Sequence, residues 1–265
     1  MQKINKLLTD INIPEAKYYY RGQADINWDL TEGIFRTHKK ESIKNIYSDI
    51  KDDIYLGDEN KIDFLCKLQH YGAPTRLLDW TLNPLVAIFF ACDDINNRDK
   101  DGKIFFFEKI LKKLDFDNIF NFEEKKDNSE GITDISISYK LDELEKKAVK
   151  FNSKKWWNEN FYEELIDNPF LDDNNRVSQL KKEIFIVENR SKGNREINQK
   201  SILTINMSEN SDIWKTYDLK HIIIKKEDKN DILEELKNIF NIWELTLYPD
   251  NPDKAIDHFK IKHLT

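Results

Sequence analysis

Gln69-His70-Tyr71-Gly72-Ala73-Pro74-Thr75-Arg76-Leu77-Leu78-Asp79-Trp80-Thr81, continued by Asn83-Pro84-Leu85-Val86-Ala87-Ile88-Phe89-Phe90-Ala91-Cys92, is the stretch around which the rest of the chain is organised. Gly72 and Pro74 predict the end of a helix, with glycine just past the last turn and proline soon after it. From Thr75 the residues read as extended, so Thr75, Leu77 and Asp79 share one face while Arg76, Leu78 and Trp80 share the other. Asn83-Pro84 opens a second helix with proline in its first turn. Residues 85–92 are apolar all round, which predicts burial on more than one side.

Upstream, residues 1–13 read as a short helix ended by Pro14. Tyr18-Tyr19-Tyr20-Arg21-Gly22-Gln23 reads as a strand in which Gly22 permits a turn or a close approach. Residues 40–56 and 59–71 carry helical spacing. Downstream, Gly102-Lys103-Ile104-Phe105-Phe106-Phe107-Glu108 is a strand, and further strands are expected at 183–187, 202–205 and 220–224. Asp231 is expected to cap a helix running through Phe240, and Leu245-Thr246-Leu247-Tyr248-Pro249-Asp250 precedes a short final helix. Residues from about 109 to 174, with a charged helix near 141–151 and an aromatic one around Trp156-Trp157 and Phe161-Tyr162, read as a helical insertion. Helices cluster early and strands late. The expectation is therefore α+β: residues 1–265 as a single mixed domain with a central, mostly antiparallel sheet.

Charged residues make up 34% of the 265 and hydrophobic ones 39%, enough for a sizeable core beneath a solvated surface. The net charge of −7 argues against a general nucleic-acid binder. Cys66 and Cys92 lack metal spacing and read as reduced core thiols. No two carboxylates join a histidine at ligand spacing, so no metal is expected. The N-terminus lacks the apolar region of a signal peptide, and the longest apolar run is too short to span a bilayer. A cytoplasmic protein away from membranes is the expectation. The Lys, Asn and Ile bias hints at an AT-rich bacterial genome.

Of 42 basic residues seven are arginine: Arg21, Arg36, Arg76, Arg98, Arg176, Arg190 and Arg195. A chain that otherwise uses lysine keeps guanidinium in both unusual segments, at Arg21 and Arg76. Guanidinium presents a rigid fork of donors suited to carboxylate or phosphate, which an ammonium cannot copy. The two are expected to meet in one cleft.

Tyr20-Arg21-Gly22, with Gly72 through Thr81 and Asn83 through Ala91 some fifty residues later, resembles the FRG domain, a family named for its aromatic-Arg-Gly motif. Arg176-Val177-Ser178-Gln179 and Leu247-Tyr248-Pro249-Asp250 resemble two weaker family segments in the expected order. A more distant resemblance is to ADP-ribosyltransferases of the Arg-Ser-Glu type, through Arg21-Gly22, Thr81 with Asp79-Trp80, Ala87-Ile88-Phe89-Phe90-Ala91 and Gln179. That resemblance implies an ADP-ribosyltransferase-like sheet and NAD as substrate. It also implies ADP-ribosyl transfer or NAD cleavage, and with the FRG resemblance, whose members often sit near phage-defence genes, a bacterial toxin or phage-defence setting.

On this reading Arg21 grips a pyrophosphate and Gly22 leaves room for it, with Thr75 and Arg76 beside them. Trp80 stacks on a nicotinamide or adenine ring, and Thr81 donates to an amide. Catalytic roles fall to Arg21, Asp79, Gln179 and Glu183, the last two standing where a transferase keeps the glutamate that stabilises an oxocarbenium ion. A plainer assignment stays open for each. Arg21 pairs with a carboxylate such as Asp79, Leu77, Leu78 and Trp80 are core, and Asp79 and Thr81 cap the helix that follows. Two other functions stay open as well: a nucleotide-sensing or protein-interaction module without catalysis, and a Mg-dependent nuclease in which Asp79 and Glu183 converge on the ion. The acceptor of any transferred group, protein or nucleic acid, and the oligomeric state are not legible.

Overall fold

Two aromatic runs, Tyr18-Tyr19-Tyr20 and Phe105-Phe106-Phe107, lie on neighbouring antiparallel strands, with Tyr19 opposite Phe107 and Tyr20 opposite Phe106. Runs of this kind do not alternate apolar with polar, so the sheet they build must be covered on both faces. The computed structural model describes residues 2–11, 18–36, 66, 69, 74–108, 111, 183–187, 193–208 and 211–249.

Six strands are described: β1 (Tyr18–Gln23), β2 (Leu77–Thr81), β3 (Gly102–Glu108), β4 (Ile184–Val187), β5 (Ser201–Asn206) and β6 (Lys220–Ile224). They form one sheet in the order β4-β5-β2-β1-β3-β6, and every neighbouring pair is antiparallel. The helices are α1 (Gln2–Asp10), α2 (Gly33–Arg36), α3 (Pro84–Cys92), α4 (Asn194–Asn198), α5 (Lys229–Phe240) and α6 (Glu244–Leu247). This is an α+β architecture on an antiparallel sheet, as the residue pattern predicts. The helices expected at 40–56 and 59–71 lie outside the described residues except for Cys66 and Gln69, both helical. The insertion over 109–174, residue 111 apart, and the final helix also lie outside them.

One face of the sheet carries Tyr18, Tyr20, Ile104, Phe106 and Ile224, packed under α3, α1 (Ile4, Leu7), α5 (Ile232, Leu236) and Leu247. The opposite face carries Tyr19, Leu78, Trp80, Phe107, Ile184 and Ile186, covered by Leu30, Ile213 and Trp214. Helix α3 lies directly on β1 and β3, and two glycines allow it. A Cβ on Gly22 would sit 2.0 Å from the Ala87 carbonyl oxygen, and one on Gly102 would sit 2.2 Å from that of Ala91. No side chain fits there. The backbone-to-backbone contact explains why α3 presents alanine at 87 and 91 and why its remaining residues are apolar on every side.

The cap of α3 is Asn83, whose Oδ1 accepts from the Leu85 N–H at 3.1 Å. Asp79 takes no part in it. Helix α5 begins at Lys229, earlier than expected, and Asp231 lies inside its first turn, where it accepts from Lys3 Nζ at 2.6 Å.

Candidate functional site

The centre of the sheet is its weakest joint. β1 and β3 pair over six residues and β2 and β5 over five, yet β1 and β2 share one Cα pair, Tyr20 opposite Thr81. Continuing that register would set Gly22 opposite Asp79. Instead Arg21 Nη1 donates to the Asp79 main-chain carbonyl at 2.6 Å, so a side chain occupies the place of a ladder hydrogen bond. A cavity of about 610 Å³ lies against this junction. β1 contributes Tyr20, Arg21 and Gly22, and β2 contributes Asp79, Trp80 and Thr81. The end of α3 and the turn after it supply Phe90, Asp93, Asp94, Ile95, Asn96 and Arg98. Arg195, Glu196 and Gln199 from α4 and its end, Ser201 and Leu203 from β5, Glu244 from α6, and Cys66 and Gln69 complete the wall.

Four buried side-chain polar atoms lack a hydrogen-bond partner among the described residues: Tyr20 Oη, Arg21 Nε, Gln23 Oε1 and Arg98 Nε. Three of these four belong to the cavity wall. Buried polar groups in native proteins are almost always satisfied, so these four atoms stand out, though each has almost no accessible surface and Gln23 Oε1 is an acceptor among three donors. Burial holds the Arg21 guanidinium below its ordinary range, against the Asp79 charge that raises it. Burial likewise pushes the Tyr20 phenol up, so its hydroxyl stays protonated and able to donate.

The residues expected at the site are partly gathered there. Arg21, Gly22, Asp79, Trp80 and Thr81 line the cavity, whereas Thr75, Arg76 and Glu183 do not. Gln179 lies outside the described residues. The two guanidinium groups expected to share a cleft do not share this one. Arg76 is 6% exposed, and its Nη1 donates to the carbonyls of Asn206 at 3.2 Å and Ser208 at 2.7 Å. It ties the start of β2 to the end of β5.

Gly22 makes room for α3, which fills the space a ligand was expected to use. The Trp80 ring is 2% exposed, stands edge-on to Phe107 at 4.7 Å and donates through Nε1 to Thr204 Oγ1 at 3.1 Å. A ring so enclosed has no free face for a base. Thr81 Oγ1 spends its hydrogen on the Gln199 carbonyl at 2.6 Å and accepts from the Asn83 N–H at 3.0 Å. The Asp79 carboxylate is exposed and accepts from Gln69 Nε2 at 2.5 Å, and Gln69 Oε1 in turn accepts from Thr75 Oγ1. Arg21 therefore bonds the main chain of Asp79, with the carboxylate held by a different partner.

Several wall residues escaped the residue-by-residue reading. Arg98 and Arg195 shared the signal of arginine scarcity with Arg21 but sat in no motif. Glu196 and Glu244 belong to no motif of the sequence. Arg195 stacks its guanidinium 4.8 Å over the Tyr248 ring. Cys92 is a core thiol, pushed up to about 12 by burial, whereas Cys66 is half-buried in the cavity wall. Among the described residues no group of three or more His, Cys, Asp or Glu is placed to hold a metal ion, and no helix is long and apolar enough to cross a membrane.

No curated protein and no solved structure matches the chain. A family model does. The FRG domain model matches residues 16–100, from just before β1 through β2 and α3 to the turn that carries Arg98.

Proposed function

We propose that the cavity between β1 and β2 binds NAD or a related phosphorylated nucleotide and supports ADP-ribosyl transfer or NAD cleavage, in a bacterial toxin or phage-defence setting. The observation that carries the reading is Arg21: half-buried, fixed to the Asp79 carbonyl through one nitrogen, and holding a buried Nε donor without a partner among the described residues. A guanidinium held in this way in the cavity wall can offer a phosphate a charge-assisted pair. The ADP-ribosyltransferase-like character of the sheet belongs to the same proposal and is supported by the order of Arg21-Gly22, Asp79 to Thr81 and α3.

In the reaction the bond between nicotinamide nitrogen and ribose C1′ breaks and nicotinamide leaves with the bonding pair. Water or an acceptor side chain bonds to C1′ and gives up its proton. A carboxylate near C1′ stabilises the oxocarbenium ion that forms between these events. Asp79, Glu196 and Glu244 line the cavity and can serve; Glu183 cannot do so from its place at the head of β4. Following the ladders, Asp79 stands opposite Leu203, Leu203 opposite Val187, and Glu183 four residues further along β4. At strand spacings the Asp79 and Glu183 Cα atoms are about 16 Å apart. That separation also removes the shared magnesium ion on which the nuclease alternative depends.

The engagement of Asp79 by Gln69 and of Thr81 by Gln199 favours one second reading, a nucleotide-sensing module without turnover. Incubating the purified protein with NAD and measuring released nicotinamide, with Arg21→Ala as control, separates them. Release that depends on Arg21 supports catalysis. Binding of NAD without release supports sensing, and neither binding nor release overturns the nucleotide reading.

A further inference from the structure

The two ends of the sheet differ. Every residue of β4 is buried, whereas in β6 Lys220, His221 and Ile223 are exposed and Ile222 is half-buried. β6 pairs with β3 along one side without interruption, from Lys220 opposite Phe106 to Ile224 opposite Gly102. Its other side meets no strand among the described residues. Such a row of main-chain N–H and C=O groups is a template for one more strand. We propose that β6 pairs with β6 of a second copy of this chain, antiparallel about a two-fold axis at Ile222, so that the two sheets join into one.

The usual protections of an edge are missing. Residues 220–224 include no proline, and the pairing with β3 runs without a bulge. The lysines at its ends are engaged within the chain. Lys220 Nζ stands 5.6 Å from the centre of the Tyr18 ring, and Lys225 Nζ pairs with Asp101 at 2.8 Å. Ile223, 40% exposed, is left as the apolar group of the edge.

The charge pattern selects a second copy as the occupant. A two-fold axis sets residues equally far from it opposite one another. With the axis at Ile222, that residue meets its own copy, His221 meets Ile223, and Lys220 meets Ile224. Asp218 and Lys226 flank the strand, and each then faces the other's copy, which gives two opposite-charge pairs. Both are exposed, and neither side chain has a hydrogen bond or ion pair among the described residues. Neighbouring registers lose this match. Moving the axis towards the C-terminus sets Lys220 opposite Lys225 and then opposite Lys226. Moving it the other way sets Asp218 against Lys225, which Asp101 already holds. Like charges directly opposite destabilise a strand pair and opposite charges stabilise it, so charge fixes the register. A strand this short buries little surface, and the contact is a weak, concentration-dependent one.

Sedimentation velocity on the full chain from about 10 μM to about 1 mM spans the range over which such a contact fills. Wild type is expected to pass from monomer to dimer, with β6 amides gaining protection from hydrogen exchange as concentration rises. Asp218→Lys or Lys226→Asp alone alters two pairs by symmetry and is expected to weaken dimerisation about fivefold or more. The two together are expected to restore it. Ile223→Lys is expected to leave a monomer. All three positions are exposed, and an unchanged circular dichroism spectrum shows that each variant folds. A monomer at every concentration overturns the proposal. So does a dimer that ignores these variants, or a double variant no better than either single one.

Discussion

Arg21 Nη1 bonds the main-chain carbonyl of Asp79 at 2.6 Å, beyond the single residue pair that joins β1 to β2. The guanidinium therefore does two things. It closes the centre of the sheet where the ladder stops, and it belongs to the wall of the cavity that lies against that joint. Gly22, two residues beyond the joint, lies directly under α3, with main-chain atoms of Ala87 and Ala91 where a Cβ would stand.

Because of this double engagement, Arg21→Ala is expected to lose both fold stability and nucleotide affinity. Loss of a charged hydrogen bond to a partly buried carbonyl costs about 1.5–3 kcal/mol. Arg21→Lys is the informative partner: an ammonium can reach one acceptor but cannot present a fork, so stability is expected to recover more than NAD affinity does. Urea unfolding and NAD titration on both variants read the two quantities. Equal recovery of both in the lysine variant would show that the fork has no part in binding.

Gly22→Ala is expected to be among the most damaging single changes in the chain. The new methyl would lie 2.0 Å from the Ala87 oxygen and 2.6 Å from the Ala91 nitrogen, and both obstacles are main chain. Overpacking of this kind costs about 3 kcal/mol or more when nothing can rotate aside. The double variant Gly22→Ala with Ala87→Gly is expected to gain nothing back, since trimming a side chain does not move a carbonyl. Rescue by that second change, seen as a restored urea midpoint, would place the contact elsewhere.

Much of the architecture was legible because apolar runs and breakers agree. The strand at Lys220–Ile224 lies where expected, and Asn83-Pro84 marks the start of α3. The fates of individual polar side chains were harder to read, because they depend on long-range partners. Arg76 finds carbonyls at positions 206 and 208, and Thr81 finds one at 199. Period-two alternation rightly separates Asp79 from Trp80, yet it does not say which face opens onto a cavity. Tyr20 was hidden by its neighbours: in a run of three tyrosines nothing marks the one whose hydroxyl goes unanswered. Glu32, which no motif marks, is fully buried.

Trp80→Phe separates core from ligand contact at β2. It removes the Nε1 bond to Thr204 and part of the packing against Phe107 and Trp214, for an expected loss of about 1–2 kcal/mol. NAD affinity is expected to change less than twofold once the protein is folded. A tenfold loss of affinity at unchanged stability would instead put the indole against the base.

Glu32 gives the fold a pH dependence of definite sign. Its carboxylate accepts from Trp214 Nε1 at 2.8 Å and Asn206 Nδ2 at 3.2 Å, and the Arg76 charge favours ionisation, but burial outweighs these and raises its pKa. Between the ordinary carboxylate value and the raised one, the folded chain holds a proton that the unfolded chain releases. Stability contributed at this site is therefore greatest at acid pH and falls as pH rises through that window, by at most about 1.4 kcal/mol per pH unit. Glu32→Gln cannot titrate. The difference in unfolding free energy, wild type minus Glu32→Gln, is expected to decline as pH rises above the ordinary carboxylate range and then level off. A difference that grows with pH would mean that the two N–H donors and Arg76 stabilise the ionised form more than burial penalises it.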